Sequence, residues 1–175
     1  MLPTVTQILR PWQDFSGISQ DVLARAAERG TRVHAACAAI ALDLPIYESD
    51  LTPDDLGYLN SFQQWFNASV AAVLAVEQEY VDSALGFRGH PDLVCRLKFS
   101  QVIVVVDIKT GANFSKAWAV QLAAYASLTG AQRCLTVRLK ADGSRAIVNE
   151  ITNWKRELAI FLNALSVFKY FNAKG

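Results

Sequence analysis

One run of β-branched residues, QVIVVVDIK at positions 101–109, restricts the folds open to this chain more than any other segment. Valine and isoleucine dominate it, and a strand this apolar belongs in the middle of a sheet with both of its faces covered. The run ends in two charges of opposite sign, Asp107 and Lys109. Because alternate side chains of a strand leave on the same face, both charges should share one face while Ile108 occupies the other. The strand therefore predicts a buried sheet that ends in a polar site.

The remaining pattern predicts a mixed α/β sheet with helices packed on it. A length of 175 residues suits one domain with one core, so we expect a single domain over residues 1–175, of which 1–75 are mostly helical. Residues 1–18 are expected to be irregular, and Gly30 and Thr31 to separate two helices. The predicted elements are helices at 19–30, 31–43 and 52–75, strands at 76–82, 89–97 and 101–109, a helix at 115–128, two strands around the turn at 141–144, and a closing helix at 153–171.

Composition leaves the class of partner open. The formal net charge is +1, so charge alone indicates no nucleic-acid or membrane partner. The three cysteines, Cys37, Cys95 and Cys134, are widely spaced and odd in number, which excludes a disulfide framework and a CxxC metal site. The start MLPTVTQILRPW lacks the features of a secretory signal, and no apolar run is long enough to cross a bilayer. We therefore expect a soluble, cytoplasmic protein with no membrane partner.

A second carboxylate changes how the charges at the strand end are interpreted. Asp107 and Lys109 alone could form an ordinary ion pair, and that alternative stays open. Asp92, in GHPDLV on the preceding predicted strand, would lie opposite the Asp107 end if the two strands pair antiparallel. Two carboxylates so close repel each other unless a cation lies between them. Oxygen ligands with positions left for water suit Mg²⁺ or Mn²⁺.

Three short motifs resemble those of a known family. GHPDLV, DIKTG and QLAAY, within residues 76–140, resemble the PD-(D/E)XK nuclease superfamily, and more closely its RecB-like exonuclease branch. The resemblance implies a restriction-endonuclease-like fold, with an αβββαβ core and a mixed central sheet flanked by helices. It assigns the metal to Asp92, Asp107 and the carbonyl of Ile108. It also implies that Lys109 contacts the attacking water and the scissile phosphate.

The helix after this strand carries two further residues of the branch. Gln121 and Tyr125 are four apart and share one helical face. The branch has a Gln-x-x-x-Tyr motif there, which orients the site and contacts DNA. A helix surface with one amide and a half-buried tyrosine is the alternative, since the motif alone is common. Its position directly behind DIKTG favours the family assignment.

Two residues from earlier in the chain complete the set that the resemblance implies. RGTRVH resembles the branch's Gly-Thr-x-x-His segment, whose histidine reaches the metal site, so His34 is a predicted ligand. A packed or solvent-facing histidine is the alternative. Glu77 matches the glutamate that many members carry just before the first strand, and Glu79 on the same predicted strand face competes for that role. Either could instead be a solvated edge charge.

Residues near these motifs could form the mouth of the site, meaning the opening through which DNA would reach the predicted metal ligands. Positive charge and an aromatic ring suit a strand of phosphates and bases, although surface cations and a core tryptophan explain the same residues one by one. His90, next to the Asp92 turn, is either a DNA contact or an exposed turn residue. The candidates for the mouth are Arg88, Lys98, Lys116 and Trp118.

The sequence thus predicts a Mg²⁺- or Mn²⁺-dependent DNA exonuclease of DNA recombination, repair or maintenance, with its catalytic core at 76–140. Its substrate would be linear DNA with a free end, and a recombination protein or a second copy of the chain remains open as a partner. The cysteines do not fit the iron–sulfur version of the branch, and no helicase phosphate loop occurs, which favours a stand-alone nuclease of the phage or mobile-element type. A structure-selective endonuclease and a non-cleaving DNA-binding or assembly module on the same fold are the alternatives.

Overall fold

A five-stranded sheet lies at the centre of the protein, with helices on both faces and a separate two-stranded sheet beside it. The computed structural model describes residues 1–13, 16–47, 49, 51–111 and 114–172. No helix among these residues combines the length and the apolar character that a membrane span requires. The helices are α1 (Val5–Leu9), a short 3-10 helix (Arg10–Trp12), α2 (Gln20–Ala41), α3 (Pro53–Ser69), α4 (Lys116–Thr129) and α5 (Trp154–Asn172). The strands are β1 (Val70–Val76), β2 (Tyr80–Asp82), β3 (Phe87–Gly89), β4 (Leu93–Leu97), β5 (Val104–Lys109), β6 (Arg133–Arg138) and β7 (Ile147–Glu150).

Strand β5 lies in the middle of the sheet, as its apolar sequence predicts. The strand order is β1-β4-β5-β6-β7, and β5 pairs antiparallel with β4 and parallel with β6. Val104, Val105 and Val106 are completely buried. Helix α4 connects β5 to β6, and this crossover lets the two strands run parallel. The predicted mixed α/β sheet flanked by helices is therefore confirmed.

Alternate residues of β5 face two separate cores. Val104, Val106 and Ile108 belong to the core that the sheet forms with α2 and α3. Val105 belongs to the core formed with α1, α4 and α5. Asp107 follows Val105 by two residues, so it lies on the face that α4 covers. Burial of the valines thereby fixes the side of the sheet on which the charges lie.

Helix α2 is one continuous helix of 22 residues, and the predicted break at Gly30 and Thr31 is wrong. Thr31, the predicted cap, donates its hydroxyl to the carbonyl of Ala27 inside the helix. A glycine within a helix costs about 1 kcal/mol relative to alanine. The turn that follows buries Val33 completely, and such tertiary packing decides helix length more than local propensity does.

The first strand begins earlier than predicted. Helix α3 ends at Ser69 instead of near residue 75, and β1 pairs antiparallel with β4 from Val70 onward. The apolar run at 70–76 fits either a helix or a strand, and pairing with β4 decides the outcome. The predicted strand at 76–82 is divided, because β1 ends at Val76 and β2 pairs with β3 outside the main sheet. The predicted strand at 89–97 is likewise interrupted between Gly89 and Leu93.

Helix α1 lies within residues 1–18, where irregular structure was expected. Thr4 and Gln7 form a capping box that satisfies the amides at its start. Its Val5 and Ile8 are completely buried in the core with α4 and α5. The expectation of irregular structure is therefore wrong for Val5–Leu9, and residues 14 and 15 lie outside the described residues.

Candidate active site

A charged cluster lies at the carboxyl end of β5. Asp107 is only 1% exposed, and its Oδ2 lies 2.7 Å from Nζ of Lys109. Both side chains therefore share one face of the strand. Among the described residues, the Lys109 amine is the group that compensates the charge of this buried oxygen, which has no further hydrogen-bond donor. A buried carboxylate oxygen in this state is costly unless a further cation or donor reaches it.

Asp92 lies directly against the end of β5. It precedes β4, and continuing the antiparallel pairing of Leu93 with Val106 by one residue brings it opposite Asp107. Its Oδ2 accepts a hydrogen bond of 2.6 Å from the backbone N–H of Ile108. This bond fixes the Asp92 carboxylate beside the residue that separates the two charges of β5. The antiparallel pairing that the sequence predicts for these two strands is confirmed.

Two further side chains reach this place from α2 and from the turn after β1. Nδ1 of His34 lies 3.3 Å from Oδ1 of Asp92. One ligand atom from each of His34, Glu77 and Asp92 lies within 4.8 Å of the others. Glu77 has a φ of 48°, which is uncommon outside glycine, and its backbone N–H donates to the Asp92 carbonyl at 3.2 Å. The turn thereby holds Glu77 next to Asp92 after β1 has ended.

Burial and like charges alter the ionisation of this cluster. Burial raises the pKa of Asp107, Lys109 acts against that rise, and Asp92 adds to it. Burial, and next the Asp92 carboxylate, raise the pKa of Glu77 to about 7. Burial acts to lower the pKa of His34, but the hydrogen bond and charge of Asp92 outweigh it and raise that pKa. The raised pKa values show that the cluster resists ionisation of all three carboxylates at once, and a divalent cation would relieve this repulsion.

A chain of hydrogen bonds holds Lys109 from the side of α4. Its Nζ donates to Oε1 of Gln121 at 3.2 Å, and Nε2 of Gln121 donates to the hydroxyl oxygen of Tyr125 at 3.0 Å. Burial raises the pKa of Tyr125, and the nearby Thr6 side chain of α1 acts against that rise. Tyr125 is buried, so it acts on the site through Gln121. No sequence signal pointed to Thr6.

The absence of a side chain at Gly89 makes room for this chain of hydrogen bonds. A Cβ at Gly89 would lie 2.7 Å from Cε1 of Tyr125 and 3.0 Å from Leu128. Tyr125 is buried, so its ring has little space to move aside. Gly89 begins the Gly-x-x-Asp segment that ends in Asp92, but the motif alone gives the glycine no physical role. The structure shows that it lets α4 pack closely enough for Gln121 to reach Lys109.

Some residues expected near the site lie elsewhere. The carboxylate of Glu79 pairs with Arg88 and lies 3.3 Å from Nε2 of His90. Among the described residues, the group with metal-ligand spacing contains His34, Glu77 and Asp92; it includes neither Glu79 nor Asp107. Lys98 lies beyond the carboxyl end of β4, whereas Asp92 precedes its amino end. The expectation that Lys98 lines the mouth is therefore wrong.

A comparison with known protein families identifies the family to which the chain with this site belongs. The family model of the PD-(D/E)XK nuclease superfamily matches residues 55–158, which is more than half of the chain. The chain belongs to the PD-(D/E)XK nuclease superfamily. The superfamily and the fold class that the motifs predict are thereby confirmed, and membership implies a hydrolytic nuclease.

Solved structures resemble this superfamily member at low sequence identity, and the matches cover different fractions of the chain. A structure titled "Crystal structure of SSO0001" is 20% identical with a TM-score of 0.41, and the match covers 68% of this chain but 57% of that one. LHK-Exo in complex with dAMP is 14% identical with a TM-score of 0.45, over 97% and 90% of the two chains. The alkaline exonuclease LHK-Exo from Laribacter hongkongensis is 14% identical with a TM-score of 0.42, over 96% and 89%. No curated protein matches the chain.

The cluster fits the divalent metals that PD-(D/E)XK nucleases use. His34, Glu77 and Asp92 have ligand atoms at a spacing that one ion can bridge. Oδ2 of Asp107 is buried and is contacted by the Lys109 amine, and no further hydrogen-bond donor among the described residues occupies it. Carboxylate oxygens with one imidazole are ligands that Mn²⁺ and Mg²⁺ accept. The donor set and the repulsion among its carboxylates therefore fit such an ion.

Gly89→Ala should reduce turnover although Gly89 touches no substrate or metal. The added methyl group pushes on Tyr125 and displaces Gln121 from Lys109. We expect kcat/KM for nuclease cleavage to fall roughly 10–100-fold. This is the usual loss when a residue that orients a group of the site is changed. The same substitution should cost as much in a Tyr125→Phe background, which keeps the ring, and much less in Tyr125→Ala, which leaves only the contact with Leu128. Equal losses in both backgrounds would contradict a steric effect through Tyr125.

Proposed function

We propose that the protein is a Mg²⁺- or Mn²⁺-dependent DNA exonuclease. The observation that carries this proposal is the convergence of three carboxylates, one imidazole and Lys109 at the end of β5. The exonuclease mode, and a role in DNA recombination, repair or maintenance, rest on the resemblance of GHPDLV, DIKTG and QLAAY to the RecB-like branch. The described cysteines are buried free thiols, which supports a reducing compartment such as the cytoplasm.

Four groups are proposed to hold the metal. Asp92 and Asp107 supply carboxylates, His34 an imidazole, and Ile108 its carbonyl oxygen, while Glu77 lies close enough to hold a ligand water. When bound, the ion supplies the charge that polarises the phosphodiester and lowers the pKa of a water. The hydrogen bond from Ile108 to Asp92 keeps the carboxylate orientation fixed before the metal arrives.

Lys109 is proposed to act on the reacting groups themselves. Its amine, oriented by Gln121 and Asp107, would position the attacking water and stabilise the negative charge that develops on the phosphate. Its side chain is 17% exposed, so one side of the amine remains open to substrate. Asp107 pairs with this amine at 2.7 Å, and Gln121 limits the directions in which it can point.

The proposal is tested with end-labelled linear DNA and closed circular DNA of the same sequence. The purified protein is incubated with each in Mg²⁺, in Mn²⁺, and in EDTA, with an Asp107→Asn preparation as the control for contaminating nucleases. We expect the linear DNA to be shortened from its ends in either metal, the circle to stay intact, and EDTA to stop the reaction. The chelator is expected to act because it removes the ion that would relieve the repulsion among the carboxylates of the cluster.

Each alternative gives a different pattern in this assay. Cleavage of the closed circle would identify an endonuclease. Binding of DNA without any cleavage would identify a non-cleaving module, and full activity in EDTA would contradict the metal-dependent mechanism.

A further inference from the structure

Two aromatic side chains connect Lys109 to the surface of α4. The ring of Trp118 lies 5.5 Å from Nζ of Lys109. Phe114 packs edge-on against Trp118, with ring centroids 5.5 Å apart and planes at 74°, and it is 52% exposed. Ser115 caps α4 between these two residues and fixes the start of the helix. A continuous aromatic surface therefore leads outward from the lysine of the candidate active site.

Phe114 also lines a groove of about 710 Å³ between α4 and α5. Trp12, also 52% exposed, contributes a second ring to this groove. Lys116 and Arg156 contribute positive charges and Glu157 a single negative one. The groove thus combines exposed rings, an apolar lining and surplus positive charge, and Phe114 belongs both to it and to the aromatic surface at Lys109.

We propose that this groove binds unpaired nucleotides of the DNA strand that enters the active site, with one base stacked on Phe114. Sites for single-stranded nucleic acid combine rings, on which bases of any type stack, with cations that follow the phosphates. Two successive ring contacts, from Lys109 to Trp118 and from Trp118 to Phe114, connect this groove to the candidate active site. This inference rests on the proposed nuclease function and adds to it a preference for an unpaired strand end.

A protein segment is the competing occupant of an apolar groove. An apolar helix lying there would cover Lys116 and Arg156 with only Glu157 to pair them, which leaves positive charge poorly compensated. A DNA strand brings one phosphate per nucleotide and compensates both cations. The ring contacts that lead from Phe114 through Trp118 to Lys109 also favour the substrate as its occupant.

The first test is the affinity for a fluorescent single-stranded oligonucleotide in Ca²⁺, measured by anisotropy. We compare the parent protein with Phe114→Leu, which keeps an apolar side chain, and with Phe114→Tyr, which keeps a ring. Loss of one stacked base should weaken binding by about 10-fold in Phe114→Leu. Phe114→Tyr should bind like the parent. Unchanged binding by Phe114→Leu would overturn the proposal, and this is the result that a protein-docking groove would give.

Phe99→Leu is the matched control for this substitution. Phe99 is a completely exposed ring that does not line the groove. It lies beyond the carboxyl end of β4, whereas Asp92 precedes the amino end of that strand. Its replacement should leave DNA binding unchanged, and melting temperatures of all variants check that each remains folded.

A scan with single abasic sites tests whether the contact is to a base. In the parent, removing the base at one position should weaken binding about 10-fold, and removing bases further along should matter less. In Phe114→Leu, removing the base at that DNA position should not weaken binding further, because the ring on which the base stacks is already gone. An abasic effect of the same size in both proteins would overturn the base-stacking proposal. If the parent gives the expected binding pattern but never cleaves DNA, the proposed nuclease function fails and the base site stands.

Discussion

Lys109→Ala should abolish most DNA cleavage while the protein still binds DNA. The amine lies between Asp107 and Gln121, where it neutralises the acidic cluster and would stabilise charge on the phosphate during attack. Removal of one such electrostatic stabiliser raises the barrier by about 3 kcal/mol or more, so single-turnover cleavage should fall roughly 10²–10³-fold. Binding measured in Ca²⁺ should change far less, since one phosphate contact among several is lost.

Lys98→Ala is the matched control, because Lys98 lies at the opposite end of β4 from the cluster. Its Nζ donates to a backbone carbonyl at 2.6 Å, so its loss should affect only local structure and leave the cleavage rate unchanged. If Lys109→Ala cleaves DNA at the parental rate, DIKTG is an ordinary strand end and the proposed mechanism is wrong. If both lysine variants lose cleavage equally, the effect comes from total charge and not from the site.

The end of β5 could be predicted because its signals are local. Period-two alternation places Asp107 and Lys109 on one face wherever a strand forms, and a short connection between neighbouring strands brings Asp92 alongside. The single helix turn that separates Gln121 from Tyr125 likewise aligns them on any regular helix. These relations depend on the geometry of one or two elements, which sequence periodicity determines.

The remaining parts of the site depend on tertiary packing. His34 reaches Asp92 only because α2 continues through Gly30, a continuation that local helix propensity opposes. Glu77 reaches it through a turn with positive φ that a glutamate seldom adopts. Gly89 has its role because a buried tyrosine from α4 occupies the space of its missing side chain. Family resemblance named His34 and Glu77, but the contacts that position them could not be derived from periodicity.

Asp107→Asn should remove both DNA cleavage and the stabilisation of the protein by metal. Asparagine has nearly the same shape, but it cannot supply the charge of the buried Oδ2, which is contacted by the Lys109 amine and by no further hydrogen-bond donor among the described residues. Because burial already raises the pKa of Asp107, a neutral side chain there should be tolerated by the metal-free protein. We expect cleavage to fall by about 10³-fold or more, since catalysis by the metal supplies several kcal/mol.

Thermal unfolding separates this variant from Lys109→Ala. A cation at about 100 times its Kd stabilises the folded state by about 2.7 kcal/mol, which for a chain of this size raises Tm by roughly 5–10 °C. The parent and Lys109→Ala, which keeps every proposed ligand, should gain this increase in Mn²⁺, whereas Asp107→Asn should not.

Glu79→Gln is the matched acidic control, because its carboxylate pairs with Arg88 and His90 and not with Lys109 or Asp92. It should keep both the rise in Tm and the cleavage, since neither depends on the ion pair with Arg88. A rise in Tm as large in Asp107→Asn as in the parent would mean that the ion binds without Asp107. The buried carboxylate would then serve only to pair with Lys109, and the metal would have to be held by His34, Glu77 and Asp92 alone.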